Sequence, residues 1–220
     1  MFQQYADSIL SWMTPLLKGA WVTVSLTVLS VSAGLFVGFF LALGKMHKQI
    51  LISKLCGAYI FFFRGTPLLM QLFFIYYALP AIIPAFTIQS RFLAAFIAFS
   101  LNCAAYIAEI IRAAIQSINK DQMEACRVLG FTNMQAIRLV ILPQAVKRMI
   151  PPIGNEFIMM LKDVSLVYVI ALVDITRAMR SIESSTGSAL VYLPAMALYL
   201  VITAIFTAVF KRLEKKYSMN

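Results

Sequence analysis

Apolar side chains run almost unbroken through residues 19–44, a stretch without charge between Lys18 and Lys45. As a helix it is long enough to cross about 30 Å of hydrocarbon. Residues 55–79 repeat the pattern with only Arg64 as an interruption, residues 92–111 stay charge-free as far as Glu109, and residues 189–210 carry no charge. A less regular apolar stretch, 149–173, contains Pro151, Pro152, Glu156, Lys162 and Asp163 and reads as a further, polar-lined span. The pattern predicts one all-α integral membrane domain with five transmembrane helices. Residues 119–148 are too hydrophilic to stay in the bilayer, yet they carry Met123, Cys126, Val128, Leu129, Phe131, Met134, Ile137 and Leu139, too apolar for a solvated loop. Locally this reads as a short helix from Lys120, a turn at Gly130 with positive φ, and a second helix that Pro143 interrupts. Such a segment predicts a protein partner.

Composition agrees. With 61% hydrophobic and 13% charged residues, the chain is neither a typical soluble domain nor a disordered one. The net charge of +10 would suggest nucleic acid in a soluble protein. Here it follows the spans. Segments 45–54, 112–148 and 211–220 hold 3, 6 and 4 basic residues, whereas the opposite face has only Lys18, Arg91, Arg177 and Arg180. The positive-inside rule then puts the N-terminus outside and the C-terminus in the cytoplasm, and no nucleic-acid partner is expected. The alternation requires 149–173 to cross. Residues 1–18 lack the basic and apolar regions of a cleaved signal. Trp12 and Trp21 sit where interfacial anchors are expected. The scattered Cys56, Cys103 and Cys126 predict neither a disulfide nor a metal site.

No GxxxxGK[ST], GxSxG or HExxH occurs, and His47 has no metal-ligand neighbours. The chain is therefore not expected to hydrolyse ATP, to carry a catalytic residue or to hold a metal or other cofactor. Ser30, Gly34, Gly38 and Ala42 form a small-residue stripe for close helix packing, either internal or between subunits.

Charge inside a span is costly, which makes it a candidate for function. Arg64 precedes Gly65-Thr66-Pro67, where the missing amide of Pro67 frees backbone groups. Its guanidinium suits the α-carboxylate of an amino acid, with the Thr66 hydroxyl beside it; a purely structural ion pair with Glu156, Asp163 or Glu109 is the alternative. Glu156 and Asp163 are seven residues apart, on nearly one helix face and about 10 Å from each other. With Asn155, Met159 and Met160 beside them, they would favour a cationic side chain unless Lys162 and Arg64 neutralise them. Asn102 and Glu109 share a face with Tyr106 between them, although Glu109 and Arg112 also form an i,i+3 helix pair.

The spacing of Glu124-Ala125-Cys126, three residues, Gly130, nine residues, then Val140-Ile141-Leu142-Pro143 resembles the EAA signature of ABC importer permeases. Cys126 and Val140 replace the usual Ala and Ile. Arg64-Gly65-Thr66-Pro67-Leu68-Leu69 with Gln71-Leu72-Phe73, Ala105 to Arg112, Leu142-Pro143-Gln144-Ala145 and Lys162-Asp163-Val164-Ser165-Leu166 make nearly the whole chain similar to the polar amino-acid uptake subfamily, with Val164 where Thr is usual. The resemblance implies a type I ABC importer permease fold in the bacterial cytoplasmic membrane, paired with a second permease copy, identical or related. It further implies two cytoplasmic ABC ATPase subunits that bind ATP and Mg, and an external amino-acid-binding protein. Residues 120–133 would be the coupling helix, with Glu124, Ala125, Gly130, Leu142 and Pro143 carrying the contact to the ATPase. The expected activity is uptake of a polar, basic amino acid by alternating access through a cavity at Arg64, Thr66, Asn102, Glu156, Met159, Met160 and Asp163. Alternatives are an ion-gradient-driven amino-acid transporter, a permease of the same family specific for glutamine or glutamate, and a membrane scaffold.

Overall fold

The computed structural model describes residues 2–217. A long helix α1 (Phe2–Lys45) is followed by α2 (Ile50–Gly65), the short α3 (Leu68–Phe73) and α4 (Leu79–Ile82), and α5 (Arg91–Gln116). Then come α6 (Lys120–Val128), α7 (Asn133–Ala136), α8 (Leu142–Asp163), α9 (Ile175–Thr186) and α10 (Tyr192–Tyr217). The core forms around α5, against which α1, α2 and α8 all pack.

The small-residue stripe of α1 decides that arrangement. A Cβ at Gly34 would lie 2.9 Å from Cβ and Sγ of Cys103, and one at Gly38 would lie 2.8 Å from the Ala104 carbonyl, so only glycine lets the two backbones approach. The stripe is internal. The apolar chain alternates with Thr23 and Thr27, whose buried hydroxyls donate to the carbonyls of Gly19 and Thr23 one turn back, at 3.1 and 2.8 Å. Hydroxyls satisfied within their own helix can be buried at little cost. Trp12 departs from expectation, because it is buried in the core and not at an interface, while Trp21 is 74% exposed.

Three helices, Ser8–Lys45, Arg91–Gln116 and Ala189–Tyr217, are long and apolar enough to cross a membrane. The second expected span is not one helix. Ile50–Gly65 and Leu68–Ile82 meet at 104°, and only together are they long and apolar enough to cross a membrane. Thr66 is extended, as the residue before a proline must be, and Pro67 has no amide with which to continue the helical ladder. The expected span 149–173 also changes. Its helix covers Leu142–Asp163, tight 3-10 turns follow through Ile170, and Ala171 ends them at φ 58°. With Lys147, Arg148, Glu156, Lys162 and Asp163 along it, this helix is less apolar than the three long ones. It is nonetheless fixed in the core, with the Phe157 ring packed at a tilt against Phe206 and Phe210 of α10 at centroid distances of 4.6 and 5.4 Å.

Pro143 does not interrupt a helix but starts α8. The amide of Leu142 donates five residues back to Ile137, a widened turn that joins α7 to α8 without a gap. The same device occurs at Leu79, which donates to Phe74 just before Pro80. A proline ring clashes with the carbonyl four residues earlier, and the wider turn moves that carbonyl aside.

At one end of the bundle lie α6 and α7; at the other, α9 caps the molecule. Asp174 is fully buried there, accepting from the Arg177 amide at 2.8 Å and from the Tyr199 hydroxyl at 3.4 Å. These contacts tie α9 to α10.

Candidate functional site: a central polar cavity and an exposed apolar hook

The break between α2 and α3 leaves carbonyl groups without helical partners, and two amide side chains satisfy them. Gln71 Nε2 donates to the carbonyls of Phe63 and Thr66 at 3.0 and 3.1 Å and to Thr66 Oγ1 at 2.8 Å. Asn102 Nδ2, from α5, donates to the Phe63 carbonyl at 3.0 Å and to Gln71 Oε1 at 2.9 Å. The network pins the broken helix to α5. A bend that exposes backbone polarity in an apolar segment persists only when such partners exist.

The bend opens a cavity of ≈ 330 Å³ lined by Arg64, Gly65, Thr66, Pro67, Leu68, Asn102, Tyr106, Glu156, Met159 and Asp163. Six expected residues, Arg64, Thr66, Asn102, Glu156, Met159 and Asp163, therefore meet in one place. Met160 does not: it is buried in the core. At about 100° per residue, Met159 and Met160 flank the Glu156–Asp163 stripe on opposite sides, and Met160 is on the flank that packs into the interior.

Arg64 occupies the last turn of α2, where the helix dipole favours a cation. Its guanidinium lies over the Tyr106 ring at 5.4 Å and 3.8 Å from Glu109 Oε2. Glu109 is otherwise engaged. It accepts from Arg112 Nε at 3.2 and 3.1 Å and from Arg112 Nη2 at 2.6 Å. Glu156 and Asp163 form no direct ion pair among the described residues; Arg64 acts on Glu156, and Lys162 on Asp163, only from farther off. Glu156 is buried all the same. Among the described residues no three His, Cys, Asp or Glu side chains are grouped to hold a metal ion.

Two further residues build the site beyond the expected set, Tyr106 in the lining and Gln71 in its support. Tyr106 lies one helical turn from both Asn102 and Glu109 and faces the same way, and a lone amide inside a 25-residue apolar run is the sequence signal that marks Gln71.

At the end of the bundle where α6 lies, the chemistry is reversed. Asn119 caps α6 by accepting from the Asp121 amide at 3.1 Å. Gly130, at φ 80°, ends it with the Gly130 amide donating to Arg127 and the Phe131 amide donating to Cys126. The expected turn is present. Thr132 and Gln135 then form a reciprocal capping box for α7. Cys126 is buried, but Val128, Leu129, Met134 and Leu139 are 88, 74, 71 and 62% exposed, and Glu124, Ala125, Leu142 and Pro143 are also exposed. This hook presents an apolar surface on the outside of the chain.

Residues 34–219 match the family model described as binding-protein-dependent transport system inner membrane component. The glutamine transport system permease protein GlnP of Escherichia coli (strain K12) is 37% identical over 202 residues, covering 91% of this chain and 92% of its own length. The L-cystine transport system permease protein TcyL of Bacillus subtilis (strain 168) is 37% identical over 204 residues, covering 90% and 85%. A crystal structure of an amino acid ABC transporter with histidines superposes with a TM-score of 0.89 at 40% identity, covering 95% and 97%. An inward-facing structure of the MetNI methionine ABC transporter, at 21% identity and a TM-score of 0.76, shares the fold.

Proposed function

The chain belongs to the family of binding-protein-dependent transport system inner membrane components, and on that premise we propose that this permease imports a polar amino acid with a cationic side chain. ATP is hydrolysed with Mg by two cytoplasmic ABC ATPase subunits. A second permease copy completes the pathway, and an external binding protein delivers the substrate. The distribution of basic residues supports an arrangement in the bacterial cytoplasmic membrane with the hook on the cytoplasmic face. There residues 120–133 seat in the ATPase through Val128 and Leu129, with Glu124 at their edge. Closure of the ATPases moves the hook. Because α7 runs into α8 without a gap, that motion reaches Glu156 and Asp163 directly.

The observation that carries the specificity is the pair of unpaired carboxylates, Glu156 and Asp163, lining one cavity with Arg64. A cationic amino acid has one carboxylate for Arg64 and two cationic groups for the two acids. A glutamine-type substrate is the second reading. The glutamine permease of E. coli is 37% identical to this chain, and Thr66 and Asn102 could serve a side-chain amide.

ATP-driven uptake of labelled arginine, in vesicles containing the permease, its ATPase and the binding protein, tests both. Competition by lysine and histidine above glutamine and glutamate supports the first reading, and the reverse order supports the second. Glu156→Gln should weaken uptake of the cationic substrate by about tenfold or more, the scale of one lost charge-assisted hydrogen bond in a buried site. Unaltered rate and preference in both Glu156→Ala and Arg64→Ala would remove the cavity from the mechanism. Uptake driven by an ion gradient without any ATPase would remove the subunit assignment.

A further inference from the structure

Two cavities meet at Arg64. The central one shares Arg64, Tyr106, Glu156 and Met159 with a second, of ≈ 600 Å³, that continues between α5 and α8 past Glu109 to Ser117 and Arg148 near the end of the bundle where α6 lies. There Arg148 Nη1 donates to the carbonyl and hydroxyl of Ser117 at 2.6 and 2.8 Å. Glu109 lines the second cavity and not the first. Its carboxylate is 3.8 Å from Arg64, beyond hydrogen-bond distance, and accepts three bonds from Arg112. The Arg64 side chain is 44% exposed, so this contact is a loose ion pair of the kind that exchanges partners readily.

We propose that Glu109 is the release-side acceptor for Arg64: it competes with the substrate carboxylate for the guanidinium, and Arg112 sets how strongly it competes. The inference rests on the reading that Arg64 takes the substrate carboxylate. With substrate in the central cavity, Arg64 turns to it. As the carboxylate leaves, Glu109 takes the guanidinium back, so the cation is never left unpaired and the substrate is not held at the exit. Tyr106 supports Arg64 in both positions through its ring face. Glu109 is thus a positioning residue that need not touch the substrate.

Opposite signs test this. In the permease–ATPase complex in nanodiscs, without binding protein, equilibrium binding of labelled arginine is measured together with the maximal rate of ATP-driven uptake in vesicles. Glu109→Gln keeps an acceptor for Arg112 but removes the competing charge. It should tighten binding about three- to fivefold and slow maximal uptake, the fold-change expected from a partly exposed ion pair. Arg112→Gln leaves Glu109 free to attract Arg64 and should weaken binding by a similar factor. If Arg112→Gln does not assemble, Arg112→Lys replaces it, with a smaller shift in the same direction. Equal affinities in all variants, or shifts of the same sign from Glu109 and Arg112, would overturn the proposal and leave that pair a helix brace. If the wild-type complex binds neither arginine nor glutamine saturably, the cavity reading itself fails, an outcome distinct from a same-sign shift.

Discussion

The central cavity and the α6–α7 hook are mirror images in their chemistry. In the cavity, Arg64, Glu156 and Asp163 sit within segments that are otherwise apolar; in the hook, Val128, Leu129 and Met134 stand exposed within a segment that is otherwise polar. Each region keeps its misplaced groups on a rigid support. The Gln71–Asn102 network holds the cavity, and the Gly130 turn with the Thr132 capping box holds the hook. Neither support explains the groups it carries. A chain retains costly side chains in an ordered place when something else completes them, and on the proposed function the two kinds of misplacement have two kinds of completion: a charged solute for the first, an apolar protein groove for the second.

The difference can be broken most directly at the hook. Val128→Asp changes a side chain that is 88% exposed, so the permease should fold with an unchanged thermal midpoint. Association with the ATPase should nonetheless weaken by about thirtyfold or more, as for a central interface residue, and ATP-driven uptake should fall with it. Co-purification of wild-type quantities of ATPase with Val128→Asp would show that the exposed apolar surface is not the docking face. The cavity should respond in the opposite way, through stability. Gln71→Leu fills its space but strands the Thr66 carbonyl, removes one of the two donors to the Phe63 carbonyl and takes an acceptor from Asn102. It should cost about 1–3 kcal/mol, measured as a lower thermal midpoint in detergent, with uptake reduced and ATPase association intact.

The smallest effect belongs to a third region that has neither anomaly. At the junction of α9 and α10, Glu183 accepts from the Tyr192 hydroxyl at 2.7 Å and from Arg180 at 3.0 Å, and Arg180 also donates to Tyr192. The Tyr192 bond first, and Arg180 second, hold the Glu183 carboxyl below its usual range. A carboxyl depressed in the folded state adds stability that is complete above its ordinary pKa and is lost as the pH falls through the lowered value. Tyr192→Phe should therefore lower the thermal midpoint slightly at pH 7, and the difference from wild type should shrink on acidification. A difference that persists unchanged into strong acid would mean that packing of the ring, and not the carboxylate bond, is what the hydroxyl supports.

Much of both regions was legible in the residue pattern, for different reasons. The hook is local: cap, glycine and capping box lie within a few residues of one another, so sequence spacing and spatial proximity coincide. The cavity is not local. Heptad spacing placed Glu156 and Asp163 on one face, but the same spacing could not choose between Met159 and Met160 as their neighbour, and Met160 went to the core. Nor could it show that Arg64 would stand beside Tyr106 and loosely against Glu109, three residues from α2 and α5 whose meeting depends on the bend at Thr66 and Pro67.

The sequence by itself determined the apolar lengths, the place of each charge along them, the turn at Gly130 and the missing amide at Pro67, because these follow from hydration, periodicity and the allowed angles of single residues; that the second span breaks there at 104° was the structure's to decide. Only the tertiary structure decided which faces meet. Gly34 and Gly38 bring α1 against α5, Phe157 packs against Phe206 and Phe210, and Gln71 reaches Asn102; these contacts set the rotation of each helix. Helical periodicity states which residues share a stripe, and packing between stripes alone states what that stripe will face.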